Sequence, residues 1–333
     1  MAADDFAVVV GISRYPGVGD LSGPENDATD FHQWICSPSG ANTPTQNVTL
    51  ILSSQYQIVT EPLQAEPTEV AVQRAFDAFD ATGRATGRVG RRLYIYMAGH
   101  GFSPDFDEAA LLMANAAEGR FYHIAGRQYA NHFRRAGYFE EIVLFMDCCR
   151  NDYTRAPLIG PQYERRTSTR QTRTFYGFAT KWSRGARERP LDQTGRVRGL
   201  FTAALLAALG GGARRDAKGK VTGPTVRDFV YNFLERHFPA GERQEPEFQV
   251  DGEIEFPAGP PSVYHVRLTL SPANLGKQVH LVGGDLQPIP GNNPSPQQWE
   301  WYLPPGLYLV RLNGTVGQPL QLIGEGGRLD VTI

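Results

Sequence analysis

Apolar residues in this chain come in short blocks, and their spacing separates strands from helices. Phe6 to Ile12 (FAVVVGI), Val48 to Leu52, Arg92 to Gly101 (RLYIYMAGHG) and Ile142 to Met146 are dense in Val, Ile, Leu and Tyr. Such near-continuous runs predict strands, the longest of them buried on both faces. Leu111 to Ala114 and Thr174 to Thr180 are further strand candidates. Between them the period changes. Phe31, Trp34 and Ile35 recur at helical spacing after Pro24-Glu25-Asn26-Asp27-Ala28, which makes Asn26 or Asp27 the candidate cap. Thr68 to Phe79 places Val72, Ala75, Phe76 and Phe79 on one face. Tyr129 to Arg135, the Ala/Leu run Leu200 to Leu209 and Val226 to His237 complete the helices, and Gly210-Gly211-Gly212 stops the second of these. Gly83 to Gly90 reads as a glycine and arginine linker.

The alternation of strand and helix predicts an α/β unit over residues 1–257. At Pro257, Gly259, Pro260 and Pro261 the texture changes. Tyr264 to Leu270, Gln278 to Val282, Trp299 to Leu303, Gly306 to Leu312 and Leu320 to Ile333 are short runs separated by Gly, Pro and Asn, the pattern of a small all-β sandwich. A second, β-rich domain is therefore expected over residues 258–333.

With 333 residues there is enough chain for a large core, and 41% hydrophobic against 20% charged residues places it among globular proteins. The longest apolar run is far short of the roughly 18 residues of a membrane span, so no membrane insertion is expected. Met1 to Asp5 carries two acids and no basic stretch, which is not the pattern of a secretory leader. Three cysteines, two of them adjacent, make no disulfide framework and suit a reducing, cytoplasmic setting. A net charge of -2 gives no overall attraction to nucleic acid, although arginines are dense between Arg150 and Arg198.

The chemistry gathers where Ile142-Val143-Leu144-Phe145-Met146 runs into Asp147-Cys148-Cys149-Arg150. In open α/β sheets ligands bind outside the C-terminal ends of the strands. A second strand ends there with His100 between Gly99 and Gly101. If the two strands are parallel neighbours, the imidazole and a thiol emerge at one edge, and a nucleophilic Cys needs such a base. Adjacent side chains on an extended chain point to opposite faces, so at most one of Cys148 and Cys149 can face His100. For Asp27 and Asp147 the plain readings are a helix cap and a strand-end hydrogen bond. Residues Arg150 to Arg173, with Pro157, Gly160 and Pro161, have the composition of a mobile loop. No Cys and His pattern has metal-ligand spacing.

FAVVVGISRYPG with Asn26-Asp27-Ala28, then LYIYMAGHG, then VLFMDCC, then Gly199-Leu200-Phe201-Thr202, and finally Arg243-Gln244-Glu245-Pro246 occur in the order found in caspase-like cysteine peptidases. Over roughly residues 5 to 257 the chain resembles that family, most of all its metacaspase and bacterial orthocaspase branch. Cys149 follows His100 by 49 positions, close to the roughly 50 of the caspase pattern. The resemblance implies a caspase-like, mostly parallel sheet flanked by helices, and a cysteine endopeptidase acting through an acyl-enzyme. Asp-x-Cys maps onto Asp147 and Cys149. It makes Cys149 the nucleophile, His100 the general base and acid, and backbone N–H groups near Gly101 and Cys149 the oxyanion donors. It also implies cleavage after Arg or Lys, with Asp27 and Asp147 in the specificity pocket, and activating cleavage at Arg155, Arg165, Arg166, Arg170 or Arg173. After Cys149 the chain departs from the pattern, with Arg150 followed by Asn151 in place of glycine. No cofactor is expected. Calcium supports several metacaspases, but their acidic ligands do not map onto this chain. The partner is a protein substrate, with the β-rich domain open to an activating or substrate partner. A catalytically silent caspase-like scaffold is the competing expectation, and a Cys hydrolase or transferase that does not cut peptides is a weaker third.

Overall fold

The computed structural model describes residues 2–152, 157–190, 195–216, 218–237, 244–257, 263–282, 287–304, 306–322 and 327–333. In chain order the first unit contains β1 (Asp5–Gly11), α1 (Pro24–Cys36), β2 (Val48–Leu52), α2 (Glu69–Thr86), β3 (Gly90–Gly99), β4 (Gly101–Ser103), β5 (Ala110–Leu112), β6 (His123–Ile124), α3 (Gly126–Ala136), β7 (Phe139–Cys148) and β8 (Asn151–Asp152). It continues with β9 (Arg173–Phe178), β10 (Glu188–Pro190), β11 (Val197–Gly199), α4 (Leu200–Ala207), β12 (Val221–Thr222), α5 (Gly223–His237), β13 (Glu247–Asp251) and β14 (Glu255–Phe256).

Six strands form the central sheet in the order β13-β9-β7-β3-β1-β2, all parallel except β13. The apolar runs of β1, β3 and β7 are buried on both faces because each face carries helices, while the edge strand β2 is only partly buried. Val8, Val10, Leu93, Ile95 and Met97 pack with Phe76 and Phe79 of α2 and Phe133 of α3. Ala7, Val9, Tyr94, Tyr96 and Ala98 pack with Phe31 of α1, Leu205 of α4 and Val230 of α5. The alternation follows the two-residue period of a strand. From β1 the chain moves out to β2 and then crosses back to β3, so the direction of winding reverses between β1 and β3. A cleft opens at such a reversal.

In the C-terminal region β15 (Tyr264–Thr269), β16 (Val279–Val282), β17 (Pro288–Ile289), β18 (Asn292–Ser295), β19 (Gln298–Leu303), β20 (Gly306–Leu312), β21 (Thr315–Leu322) and β22 (Gly327–Thr332) build two four-stranded sheets. Val266, Leu268 and Trp301 of one sheet share a separate buried cluster with Leu281, Val310 and Leu322 of the other. This is sheet-on-sheet packing, with inward residues alternating along β15.

Several local expectations change. The first helix begins at Pro24 with Gly23 at its cap position, so neither Asn26 nor Asp27 caps it; proline suits the first helical position because its missing N–H has no partner there. α2 continues through the first half of the expected linker and stops where Gly87 turns left-handed, at φ +76°. Leu320 to Ile333 is two strands belonging to different sheets. The arginine-rich segment is tied down where it is described. Leu158 and Tyr163 pack on the core, Tyr163 donates to Asp77 at 2.6 Å, Arg84 pairs with Glu164 at 2.8 Å and Arg170 donates to the Gly87 carbonyl. Local composition did not reveal these long-range partners.

Candidate active site

β3 and β7 lie side by side with Gly99 opposite Cys148, so the residues that follow them leave the sheet together. They meet Asp27 of α1 in a cleft of about 200 Å³ lined by His100, Asp147, Cys149, Asp27, Glu188 and Gly199 among others. Four of the sequence candidates thus share one cavity.

The pleat separates the two thiols. Cys148 belongs to the face packed by α2 and α3, is 1% exposed, and has its thiol pKa raised first by burial and then by Cys149 and Asp147. It fills the space over Gly101, where an added Cβ would lie 2.6 Å from its sulfur. Cys149 is half-buried and lines the cleft. Its Sγ accepts a hydrogen bond from the Ala186 N–H at 3.2 Å. Burial raises the Cys149 pKa, and the Ala186 bond opposes that rise. Gly101 itself is buried in β4 beneath Cys148 and is not among the residues lining the cleft.

His100 is held from two sides. Tyr15, wholly buried, accepts the His100 backbone N–H at 3.1 Å, donates to the Leu112 carbonyl at 3.0 Å and packs edge-on against the imidazole. The ring Nε2 lies 2.9 Å from the Gly19 carbonyl. A carbonyl only accepts, so Nε2 is the donor of this contact, which leaves Nδ1 as the ring nitrogen able to accept when the imidazole is neutral.

The acids are held in different ways. Asp147 Oδ2 accepts from the Thr202 N–H at 3.1 Å and the Thr202 hydroxyl at 2.7 Å, and Tyr96 continues the chain to that hydroxyl at 2.6 Å. Asp27 Oδ2 accepts from the Gly199 N–H at 2.7 Å, while its Oδ1 is buried without a hydrogen bond and stands 3.7 Å from Arg198. Gly199 can sit between the carboxylates because it lacks a Cβ, which would lie 2.9 Å from Asp27 Oδ2. Burial raises the pKa of both acids, and the Asp147 charge raises that of Asp27 further. A third carboxylate, Glu188 on β10, lines the cleft and accepts from the Ser22 and Gly23 N–H groups at 2.9 and 2.8 Å. It ties the β10–β11 hairpin to the start of α1. Arg187 also borders the cleft.

Arg150, the apparent departure from the family pattern, is fully buried next to Cys149 in the chain. Its guanidinium pairs with Glu247 at 2.6 Å, donates to the carbonyls of Phe106, Glu108 and Thr180, and stacks over Phe178 at 4.8 Å. Its own N–H and C=O bond to Arg184 and Ser183. The loop after Cys149 is thus anchored from three elements. Sequence reading missed Glu188, Gly19, Tyr15 and Ala186, whose partners are far along the chain. Tyr15 and Thr202 stood inside matched motifs, which was the available signal.

Of the arginines proposed for cleavage, Arg165, Arg166 and Arg170 are exposed, Arg173 begins β9 and pairs with Glu141, and Arg155 lies outside the described residues. Among the described residues no group of three or more His, Cys, Asp or Glu is placed to hold a metal ion. No helix among them is long and apolar enough to cross a membrane.

A probable protease of a Desulfuromonadales bacterium is 28% identical over 220 residues, or 62% of this chain. The chain spans only 26% of that curated relative's length. Among solved structures, the crystal structure of caspase-1 from Spodoptera frugiperda matches with a TM-score of 0.47 at 13% identity, covering 74% of this chain and 86% of that one. The family model described as the caspase domain matches residues 4–251, nearly the whole of the α/β unit that carries the cleft. The chain belongs to the caspase-domain family of peptidases.

Proposed function

We propose that this protein is a cysteine endopeptidase that cuts after Arg or Lys, with Cys149 as nucleophile and His100 as general base and acid. In this reading Nδ1 of His100 takes the Cys149 proton, and the thiolate attacks the carbonyl carbon of the scissile bond. His100 returns the proton to the leaving amine, and water then hydrolyses the thioester acyl-enzyme. Backbone N–H groups near Cys149 would stabilise the oxyanion, whereas Gly101, expected to share that role, is buried in β4 away from the cleft. The observation that carries the specificity is the buried Asp27 Oδ1, which has no hydrogen bond and shares its cleft with Asp147, Glu188, His100 and Cys149. Buried carboxylates are costly unless a cation neutralises them, and a guanidinium offers paired donors.

Turnover of fluorogenic peptides ending in Arg, Lys or Asp tests this. Wild type should cut the Arg and Lys peptides. Cys149→Ala and His100→Ala should lose at least about 1,000-fold in rate; Cys148→Ala should retain it. Hydrolysis of the Asp peptide alone, or full activity in Cys149→Ala, would sink the assignment.

One observation favours a silent scaffold: the Cys149 sulfur is engaged by Ala186, and burial raises its pKa. No turnover on any peptide, together with no alkylation of Cys149 by iodoacetamide, is the outcome that reading expects. We assign the C-terminal sandwich to recognition of an activating or substrate partner, where Tyr302, 72% exposed, is stacked on His265. A Tyr302→Glu variant should lower turnover of the natural protein substrate and leave peptide turnover unchanged.

A further inference from the structure

A second, larger cleft of about 510 Å³ lies between α3 and the segment that follows the nucleophile. One wall is a helical stripe, Gln128, Asn131, His132 and Arg135, at the i, i+3, i+4, i+7 spacing that shares a face. The apolar stripe of the same helix, Tyr129, Ala130, Phe133 and Ala136, is committed to the core. The other wall is Pro161, Tyr163, Arg165, Arg166 and Thr167. A helix with its apolar side buried usually turns its polar side to solvent. Here that side faces a wall of the protein's own making.

Three guanidinium groups border this cleft, and those of Arg135, Arg165 and Arg166 make no hydrogen bond or ion pair with any described residue. Neighbouring arginines do find acids: Arg84 pairs with Asp80 and Glu164, Arg127 with Asp107 and Arg173 with Glu141. His132 is engaged by Asp80 at 3.0 Å and is not free. The one carboxylate bordering the cleft, Glu108, has a buried oxygen without a hydrogen bond, and burial raises its pKa.

We propose that this cleft binds a phosphorylated small molecule, held by Arg135, Arg165 and Arg166 with Gln128 and Asn131 as neutral partners. Guanidinium groups match phosphate oxygens in paired geometry, and the volume suits a small molecule more than a single ion. The ligand would join α3 to the segment after Cys149 and cover two of the arginines considered for cleavage. This site is independent of the peptidase assignment.

Calorimetric titration of the full chain with inorganic pyrophosphate at low salt tests the site. Wild type should bind one equivalent saturably. Arg135→Gln/Arg166→Gln should weaken binding at least about tenfold, and Arg134→Gln, on the same helix outside the cleft, should leave it unchanged. These positions are exposed, and unchanged melting temperatures without ligand will show that the variants fold. Bound pyrophosphate should also slow trypsin cleavage after Arg165 and Arg166. The proposal fails if wild type shows no saturable binding, if the double variant binds as wild type does, or if Arg134→Gln weakens binding equally. Citrate binding as tightly as pyrophosphate would overturn the phosphate assignment.

Discussion

The two edges of the central sheet handle charge in opposite ways. At the N-terminal edge, Asp5, Arg91, Arg92, Glu141 and Arg173 close on one another: Arg91 pairs with Asp5 and Glu141, Arg92 with Glu141, and Arg173 with Glu141. Arg92, 2% exposed, also donates to the Tyr94 hydroxyl and the Glu255 carbonyl, each at 2.7 Å. At the C-terminal edge Asp27, Asp147 and Glu188 face one cleft, and Arg198 stands 3.7 Å from Asp27. Both edges bury carboxylates. The first supplies close cations to its carboxylates, and there the charges serve to join strands. An edge with acids in excess costs stability and fits a site that receives a cation from outside.

The largest effect should come from breaking the matched edge. Glu141→Ala strands Arg92 in the core and should lower stability by about 3–5 kcal/mol in urea unfolding, while peptide turnover by the molecules that remain folded is unchanged. A loss below about 1 kcal/mol would mean that the network is not what holds this edge.

Asp27→Asn probes the unmatched edge and should do the reverse. The amide oxygen can still accept from Gly199, so the fold survives and the melting temperature at pH 8 should not fall. Specificity for Arg peptides should drop about 100-fold in kcat/KM, equivalent to about 2.7 kcal/mol. Undiminished turnover of Arg peptides would remove Asp27 from the pocket.

Glu188→Gln keeps one acceptor for the Ser22 and Gly23 N–H groups and should raise KM for Arg peptides by about fivefold with kcat nearly intact. A fall in kcat alone would instead point to a displaced nucleophile loop.

The smallest effect is in pH dependence. The pKa values of Asp27 and Asp147 are raised in the fold, mainly by burial. Between the ordinary aspartate range and those raised values the folded state holds protons that the unfolded chain has released. Stability therefore declines as pH rises through that window. Asp27→Asn should flatten the decline in melting temperature measured from pH 4 to 8, and an unchanged slope would contradict the burial of an unneutralised acid.

The strands were legible because burial on both faces leaves a plain mark: FAVVVGI and IVLFM need no partner information to be read as core. Pairing His100 with a Cys at the same sheet edge was legible for a related reason, since parallel strands end at the same level. Residues with distant partners were not. Arg150 looked like a defect in the motif and is a buried anchor, because Phe106, Thr180 and Glu247 come to it from three separate stretches. Asp27 looked like a helix cap by residue preference alone, yet its partner is Gly199, 172 residues away.

The sequence by itself determined the elements, the α/β unit followed by a β-rich one, and the short list of groups able to do chemistry. Periodicity and residue type are local properties. Tertiary structure decided where each thiol lies, through the strand pleat that turns Cys148 into the core and leaves Cys149 in the cleft. It alone also brought Glu188 and Gly199 to the acids, and set Arg135, Arg165 and Arg166, which have no ion pair among the described residues, across one cavity. These depend on which distant segments share a face, and hydrogen bonds and charges act on distance in space, not on position along the chain.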